Sequence, residues 1–211
     1  MIEAIYWITF SYLFGSVPNG YLITKIVSGK DIRKIGKKKL SSSNIMKNVG
    51  YLPGILSALI DIFKGTVAVY GAQVLGFSAQ IQATAAILAL SGQMWPVFMK
   101  FWGGRGGATC IGAFLAFSFK ISLISLFVWI VFKFVFKKIG AAIGMFVFLI
   151  LAGILGAYYN QEGVVLFSVT GTVLVLIQRV LGEPGSLGKI KDKKIILWRF
   201  FLDRDTKEDA D

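Results

Sequence analysis

The sequence predicts an all-α integral membrane protein, and three observations carry that prediction. Hydrophobic residues make up 55% of the 211-residue chain and charged residues 16%, which departs from ordinary globular usage, and the mean hydropathy is +0.70. The apolar runs are long and lack period-two alternation, which selects helices over a barrel as the way to satisfy backbone polar groups in hydrocarbon. The lysines and arginines sit in short blocks beside those runs. At about 20 residues per span, residues 1–211 read as a single polytopic membrane domain with little left over for an extramembrane one.

Apolar windows predict about seven helices, roughly 2–25, 51–76, 79–97, 107–119, 121–137, 139–158 and 163–181. The first carries Glu3, has no cationic start and no convincing cleavage site, so it reads as a retained helix and not a signal peptide. Within it, Gly15-Ser16-Val17-Pro18-Asn19-Gly20-Tyr21 predicts a kink, because Pro18 removes a backbone donor. That kink opens a polar notch beside Ser16 and Asn19 or simply eases packing. The second holds Asp61-Ile62-Phe63-Lys64-Gly65; charges in hydrocarbon are costly, and a spacing of three puts Asp61 and Lys64 on one face. A structural ion pair and a place next to a functional site both fit. The third ends near Pro96, with Gln93 offering its amide to a substrate or to a neighbouring helix. The fourth is short for a span, which fits a helix that is tilted, broken or lining a polar cavity. The remaining three are the later apolar windows, with Lys137 and Lys138 marking the loop between the fifth and sixth.

Lys30, Arg33, Lys34, Lys37, Lys38 and Lys39 face one acid, Asp31, in the first loop; Lys100 and Arg105 mark the next, Lys137 and Lys138 a third, and Lys189, Lys191, Lys193 and Lys194 the tail. The positive-inside rule makes these segments cytoplasmic, so the N-terminus is expected outside and the C-terminus inside. Lys120 falls on the opposite side, where a lone lysine can snorkel. Residues 183–211 read as a cytoplasmic tail whose stretch Ile195-Ile196-Leu197-Trp198-Arg199-Phe200-Phe201-Leu202 suits an interfacial element.

Composition also excludes chemistry. Histidine is absent and Cys110 is the single cysteine, so histidine acid–base catalysis, zinc ligation and an internal disulfide are not expected, and no metal or cofactor is. The formal net charge of +12 is spread beside apolar spans, which points to anionic lipid headgroups and phosphorylated substrates and not to nucleic acid. The inverted repeat of many transporters is missing. A monomer is expected.

Two segments carry the candidate chemistry. In Gly103-Gly104-Arg105-Gly106-Gly107-Ala108-Thr109, glycines let backbone N–H groups approach an anion, Arg105 adds a forked cation, and a following helix start aims its positive end at the same place. A phosphate would be held there at the membrane surface; a flexible loop with Arg105 solvated or on lipid phosphate is the plainer alternative. In Ser41-Ser42-Ser43-Asn44 with Lys47, hydroxyls, an amide and an ammonium could cradle a phosphate or the hydroxyls of a small substrate. Serine and asparagine are equally ordinary helix N-caps.

Taken in order, these stretches resemble the bacterial membrane glycerol-3-phosphate acyltransferases that use acyl phosphate, the PlsY family. The resemblance rests on Gly15-Ser16-Val17-Pro18-Asn19-Gly20-Tyr21-Leu22, Asp31-Ile32-Arg33-Lys34-Ile35-Gly36, Ser43-Asn44 ahead of Lys47, Asp61-Ile62-Phe63-Lys64-Gly65, Gly92 with Pro96-Val97-Phe98 and Phe101, and the glycine turn. It closes on Arg179-Val180-Leu181-Gly182-Glu183-Pro184 with Leu187-Gly188. It implies a seven-helix enzyme of the cell inner membrane, active face cytoplasmic, that moves an acyl group from acyl phosphate to glycerol 3-phosphate in phospholipid biosynthesis and yields lysophosphatidic acid. It further implies catalytic roles for Ser43, Asn44, Lys47 and Gln93, phosphate binding by Gly103, Gly104, Arg105, Gly106, Gly107 and Thr109, and site-adjacent roles for Ser16, Asn19, Asp61 and Lys64.

The chain departs from the family's pattern in places. Lys37, Lys38 and Lys39 stand where the family has serine, glycine and asparagine, and Ser41, Ser42 and Ser43 where it has glycine, alanine and threonine. Lys47 replaces an arginine, Gln93 a histidine and Arg105 a lysine, while Val173 and Leu176 fall where a histidine and an asparagine are expected. The alternative implied is a divergent paralogue that keeps the fold and a lipid-phosphate site with altered or no transfer. A lipid or anion transporter is a third class.

Overall fold

The computed structural model describes residues 1–36 and 39–181, with the side chains of residues 137–142 left aside. Lys37, Lys38, the family-like segment beyond Leu181 and the expected interfacial tail lie outside the described residues. These contain nine α-helices and no strand: α1 Ile2–Gly15, α2 Asn19–Ser28, α3 Ser42–Asn48, α4 Tyr51–Val74, α5 Ala79–Met94, α6 Gly107–Phe117, α7 Phe119–Val135, α8 Lys137–Tyr158 and α9 Glu162–Leu181. Two of the described helices, α4 and α9, are both long and apolar enough to cross a membrane. Many large apolar side chains face outward, among them Ile26, Leu59, Phe63, Phe127, Phe134 and Val169.

The first predicted helix is two helices. Pro18 has no N–H to donate, so the ladder ends with Ser16 N donating to Tyr12 O at 2.9 Å and Val17 N to Phe14 O at 3.3 Å. The chain turns, and α2 starts at Asn19. The third predicted helix stops at Met94 and not at 97, because Trp95 precedes Pro96 and sits outside helical backbone at φ −130° and ψ 69°. The short helix α3 is an addition; Ser41 caps it by accepting from Asn44 N at 3.3 Å.

The described residues form two compact units, one within residues 1–116 and one within residues 117–181. In the first, glycines let helices meet backbone to backbone. A Cβ on Gly15 would collide with the Ala89 carbonyl, and one on Gly92 with Tyr12 O and Ser16 N, so α1 and α5 touch along small residues. Gly65 and Gly112 do the same for α4 and α6, against the Thr109 and Ile62 carbonyls, and Thr66 Oγ1 donates to Gly112 O at 3.0 Å. Ala68, Ala72, Ala85, Ala86 and Ala89 fill the rest of these seams, all fully buried.

In the second unit α7, α8 and α9 follow one another around Ile121, Phe148, Leu149, Val164 and Phe167, with the Trp129 and Phe148 rings 5.9 Å apart. Asn160 takes the left-handed conformation, φ 54°, between α8 and α9. Lys120, the lysine out of place by charge pattern, lies over the Tyr159 ring at 4.8 Å.

The glycine seams generate a prediction. Gly112→Val forces side-chain carbons into the Ile62 carbonyl, so it should destabilise the protein by about 1–3 kcal/mol. Thermal unfolding in detergent measures this, with the outward-facing Leu59→Ala as a control expected to change little.

Candidate active site

A small cleft opens where α1 gives way to α2. Ser16, Val17, Pro18, Asn19 and Gly20 form one side, Asp61 and Gln93 come from α4 and α5, Gly103 and Gly104 from the glycine turn with Pro96 before it, and Leu40 from the loop. Beneath them lies Lys64, 1% exposed. Its ammonium donates to Val17 O at 2.6 Å, Asn19 Oδ1 at 2.6 Å and Gln93 Oε1 at 2.8 Å, with Asp61 Oδ1 at 3.2 Å. The break at Pro18 leaves the Val17 carbonyl free of the helical ladder and therefore available to this cation. One lysine thus ties the α1–α2 break, α4 and α5 together.

Asn19 is fully engaged: its Nδ2 donates to Ser57 O at 3.0 Å and Ser57 Oγ at 3.3 Å. Ser16 is completely buried and donates to Tyr12 O at 2.8 Å. Gly104 N donates to Gln93 O at 2.9 Å, which locks the glycine turn onto the end of α5. A Cβ on Gly103 would meet the Met94 carbonyl and Pro96, and one on Gly104 would lie 2.7 Å from Leu40 O, so the turn has room only for backbone. Gly106, at φ +73°, packs on Leu90 and carries the chain into α6. The first-turn amides of α6, from Gly107 on, have no intrahelical carbonyl to meet, which is the usual setting for an anion.

The loop is fixed over this cleft by its own small core. Ile32, Leu40, Ile45 and Met99 are buried together, with Tyr21, Ile35, Val49 and Trp102 packed on them. Arg33 grips Asp31 in a fork, Nε to Oδ1 at 3.0 Å and Nη2 to Oδ2 at 2.7 Å, and lies 5.2 Å from the centre of the Tyr21 ring. This guanidinium holds the Asp31 carboxyl below its ordinary value.

The structure therefore brings Ser16, Asn19, Asp61, Gln93, Gly103 and Gly104 to one cleft, with Lys64 under it. Ser43, Asn44 and Lys47 lie on α3 outside that lining. Asn44 is 1% exposed and staples the loop, its Nδ2 donating to Ile35 O and Lys39 O at 3.2 and 3.1 Å, and its Oδ1 accepting from Asn48. Ser43 and Lys47 are exposed. Thr109 is fully buried against α4. Arg105 follows the lining glycines and is partly buried. Sequence reasoning missed Ser57 and the Val17 carbonyl. Ser57 could have been found from its place four residues before Asp61, on the same helix face.

Comparison with known proteins supplies the class. The glycerol-3-phosphate acyltransferase family model matches residues 5–181. A glycerol-3-phosphate acyltransferase of Prochlorococcus marinus (strain MIT 9312) is 37% identical over 187 residues, covering 85% of this chain and 95% of that protein. Glycerol-3-phosphate acyltransferase 4 of Dehalococcoides mccartyi (strain CBDB1) is 31% identical over 202 residues, covering 93% and 87%. Among solved structures, the integral membrane acyltransferase PlsY in its glycerol 3-phosphate form superposes with a TM-score of 0.75 at 25% identity, over 90% of this chain and all of that one. Its lysophosphatidic acid form gives 0.75 at 23%, over 93% and 99%. The chain belongs to the glycerol-3-phosphate acyltransferase family. With that membership come acyltransferase chemistry, membrane residence and a place in phospholipid biosynthesis.

Two predictions follow from this geometry. Lys64→Met strands the Asp61 charge in the interior and should cost about 3–5 kcal/mol, whereas Asp61→Asn with Lys64→Met should recover a substantial part; unfolding of the two variants in detergent checks the order. Because the native carboxyl of Asp31 titrates below its unfolded value, its contribution is present above the ordinary carboxylate range and is lost as pH falls through the lowered native value. Amide-exchange protection around residues 31–35 should fall in acid for the wild type, and Asp31→Asn should flatten that dependence.

Proposed function

We propose that this protein transfers a fatty acyl group from acyl phosphate to the 1-hydroxyl of sn-glycerol 3-phosphate, releasing lysophosphatidic acid and inorganic phosphate. The hydroxyl oxygen attacks the acyl carbonyl carbon, the bond from that carbon to the phosphate oxygen breaks with its electron pair on phosphate, and the hydroxyl proton passes to a phosphate oxygen. The donor is already activated, so positioning and charge stabilisation suffice and no cofactor enters the balance. The observation that carries the reading is a single cleft walled on one side by the Lys64-centred cluster and on the other by the Gly103-Gly104 turn that leads through Arg105 into the start of α6.

In this reading Arg105 and the amides of residues 103–109 hold a substrate phosphate, and Gln93 faces the reacting groups. Ser43 and Lys47 reach the substrate from α3, and Asn44 acts by holding the loop. Residues 1–211 form one polytopic domain that crosses the cell inner membrane about seven times, α1 with α2 counting as one crossing, N-terminus outside and active face cytoplasmic. It works as a monomer. PlsY, crystallised in glycerol 3-phosphate and lysophosphatidic acid forms, supports the choice of substrate and product.

One set of residues favours a second reading. Gln93, Lys47, Val173 and Leu176 replace the family's polar pattern, which suits a paralogue that binds lipid phosphate without this transfer.

Purified protein in lipid or detergent should transfer labelled acyl phosphate to glycerol 3-phosphate, and Arg105→Ala should lower the rate by about 100-fold or more. Phosphate binding without turnover would instead establish the paralogue. Neither turnover nor binding, with flux across vesicles, would establish transport.

A further inference from the structure

We infer that Lys64 is a positioning residue that fixes the side-chain amide of Gln93 as a donor facing the cleft, so that Gln93 hydrogen-bonds an oxygen of the substrate; this deepens the acyl-transfer reading and rests on it. An ammonium has three protons. Four oxygens surround that of Lys64, and the three nearest, Val17 O, Asn19 Oδ1 and Gln93 Oε1, lie within 2.8 Å. Asp61, at 3.2 Å, chiefly balances the charge.

A lysine has no acceptor to offer, so any amide that touches it must present oxygen and turn its NH2 away. Asn19 obeys this and spends its NH2 on Ser57. Gln93 obeys it too, and the protein acceptor beside its NH2 is the Asp61 carboxylate, which leaves the second N–H of that NH2 for the cleft. Gln93 lines the cleft, and its Nε2 lies 3.3 Å from where a Cβ on Gly104 would be, so the NH2 sits beside the glycine turn. The amide cannot rotate by half a turn without setting N–H against ammonium. The result is a pre-oriented donor of fixed polarity, suited to a phosphate oxygen or to the oxygen of the acyl carbonyl as negative charge develops on it. No titration is needed to make it a donor.

Substitution at position 93 separates this role from a structural one. Gln93→Glu keeps an oxygen for Lys64, but its carboxylate is left over once Asp61 has balanced the ammonium, so the fold should hold with a lowered unfolding temperature. It has no N–H for the cleft, and transfer should fall about 100-fold. Gln93→His restores a nitrogen acceptor for Lys64 and an N–H for the cleft. It should recover at least a tenth of wild-type activity. If Gln93→Glu retains activity within threefold of wild type, or Gln93→His is no better than Gln93→Glu, the inference is overturned. If the wild type transfers no acyl group, the acyl-transfer reading fails separately. Binding of glycerol 3-phosphate by calorimetry then decides the inference: loss in Gln93→Glu with retention in Gln93→His supports it, and equal binding in all three overturns it.

Discussion

The ammonium of Lys64 is the constraint on which the rest of the first unit depends. A buried charge costs several kcal/mol unless it is neutralised and hydrogen-bonded, and in a membrane protein water offers no remedy. Lys64 is therefore stable only where oxygens converge on it, and they converge from three places: the broken turn at Val17 and Asn19, its own helix at Asp61, and the end of α5 at Gln93. Each of these has a local cause. Pro18 frees the carbonyl, the three-residue spacing aligns the carboxylate, and the seam between Gly15 and Gly92 brings α5 close enough for its glutamine to reach.

The glycines and the lysine act together. Gly92 admits the backbone of α1 at Tyr12 and Ser16, one residue before Gln93, so the helix pair is closest where the polar cluster begins. Gly103 and Gly104 then pack backbone against the carbonyls of Gln93, Met94 and Leu40. A side chain at either position would push the turn away from α5 and open the cleft on that side. Glycine at these two sites is accounted for by packing alone, so an anion is not required to explain it; the case for one comes from Arg105 and the amides at the start of α6.

Much of this was legible in the sequence. Apolar windows located the long helices because burial in lipid demands length as well as composition, and the Pro18 kink and the Asp61–Lys64 pair followed from backbone chemistry and helical spacing. Sequence could also set Gln93 near the end of its helix, but it left open whether the amide served a substrate or a neighbouring helix. The geometry has it bonding across to Lys64 from one end, with the other end in the cleft. The depth of the break at Pro18, which becomes two helices, depends on a partner for the Val17 carbonyl 47 residues away, and no local rule contains that. Asn44 illustrates the opposite problem. Its residue type suited substrate and loop equally, and only the positions of the Ile35 and Lys39 carbonyls show its amide engaged with the loop.

The charge balance around Lys64 also divides labour within the cleft. Asp61 neutralises the ammonium, and three neutral oxygens take its protons, so little of its positive charge is left to attract an anion from outside. Attraction must come from other groups, and in the proposed reading Arg105 and the amides at the start of α6 supply it. In that reading Lys64 contributes orientation, by fixing the amides that touch it, and Arg105 contributes charge. A lysine left half-exposed at position 64 could supply both, but it would compete with Asp61 for any phosphate that entered and would leave Gln93 free to rotate. Complete burial removes that competition and keeps the cluster rigid while the wall opposite remains backbone.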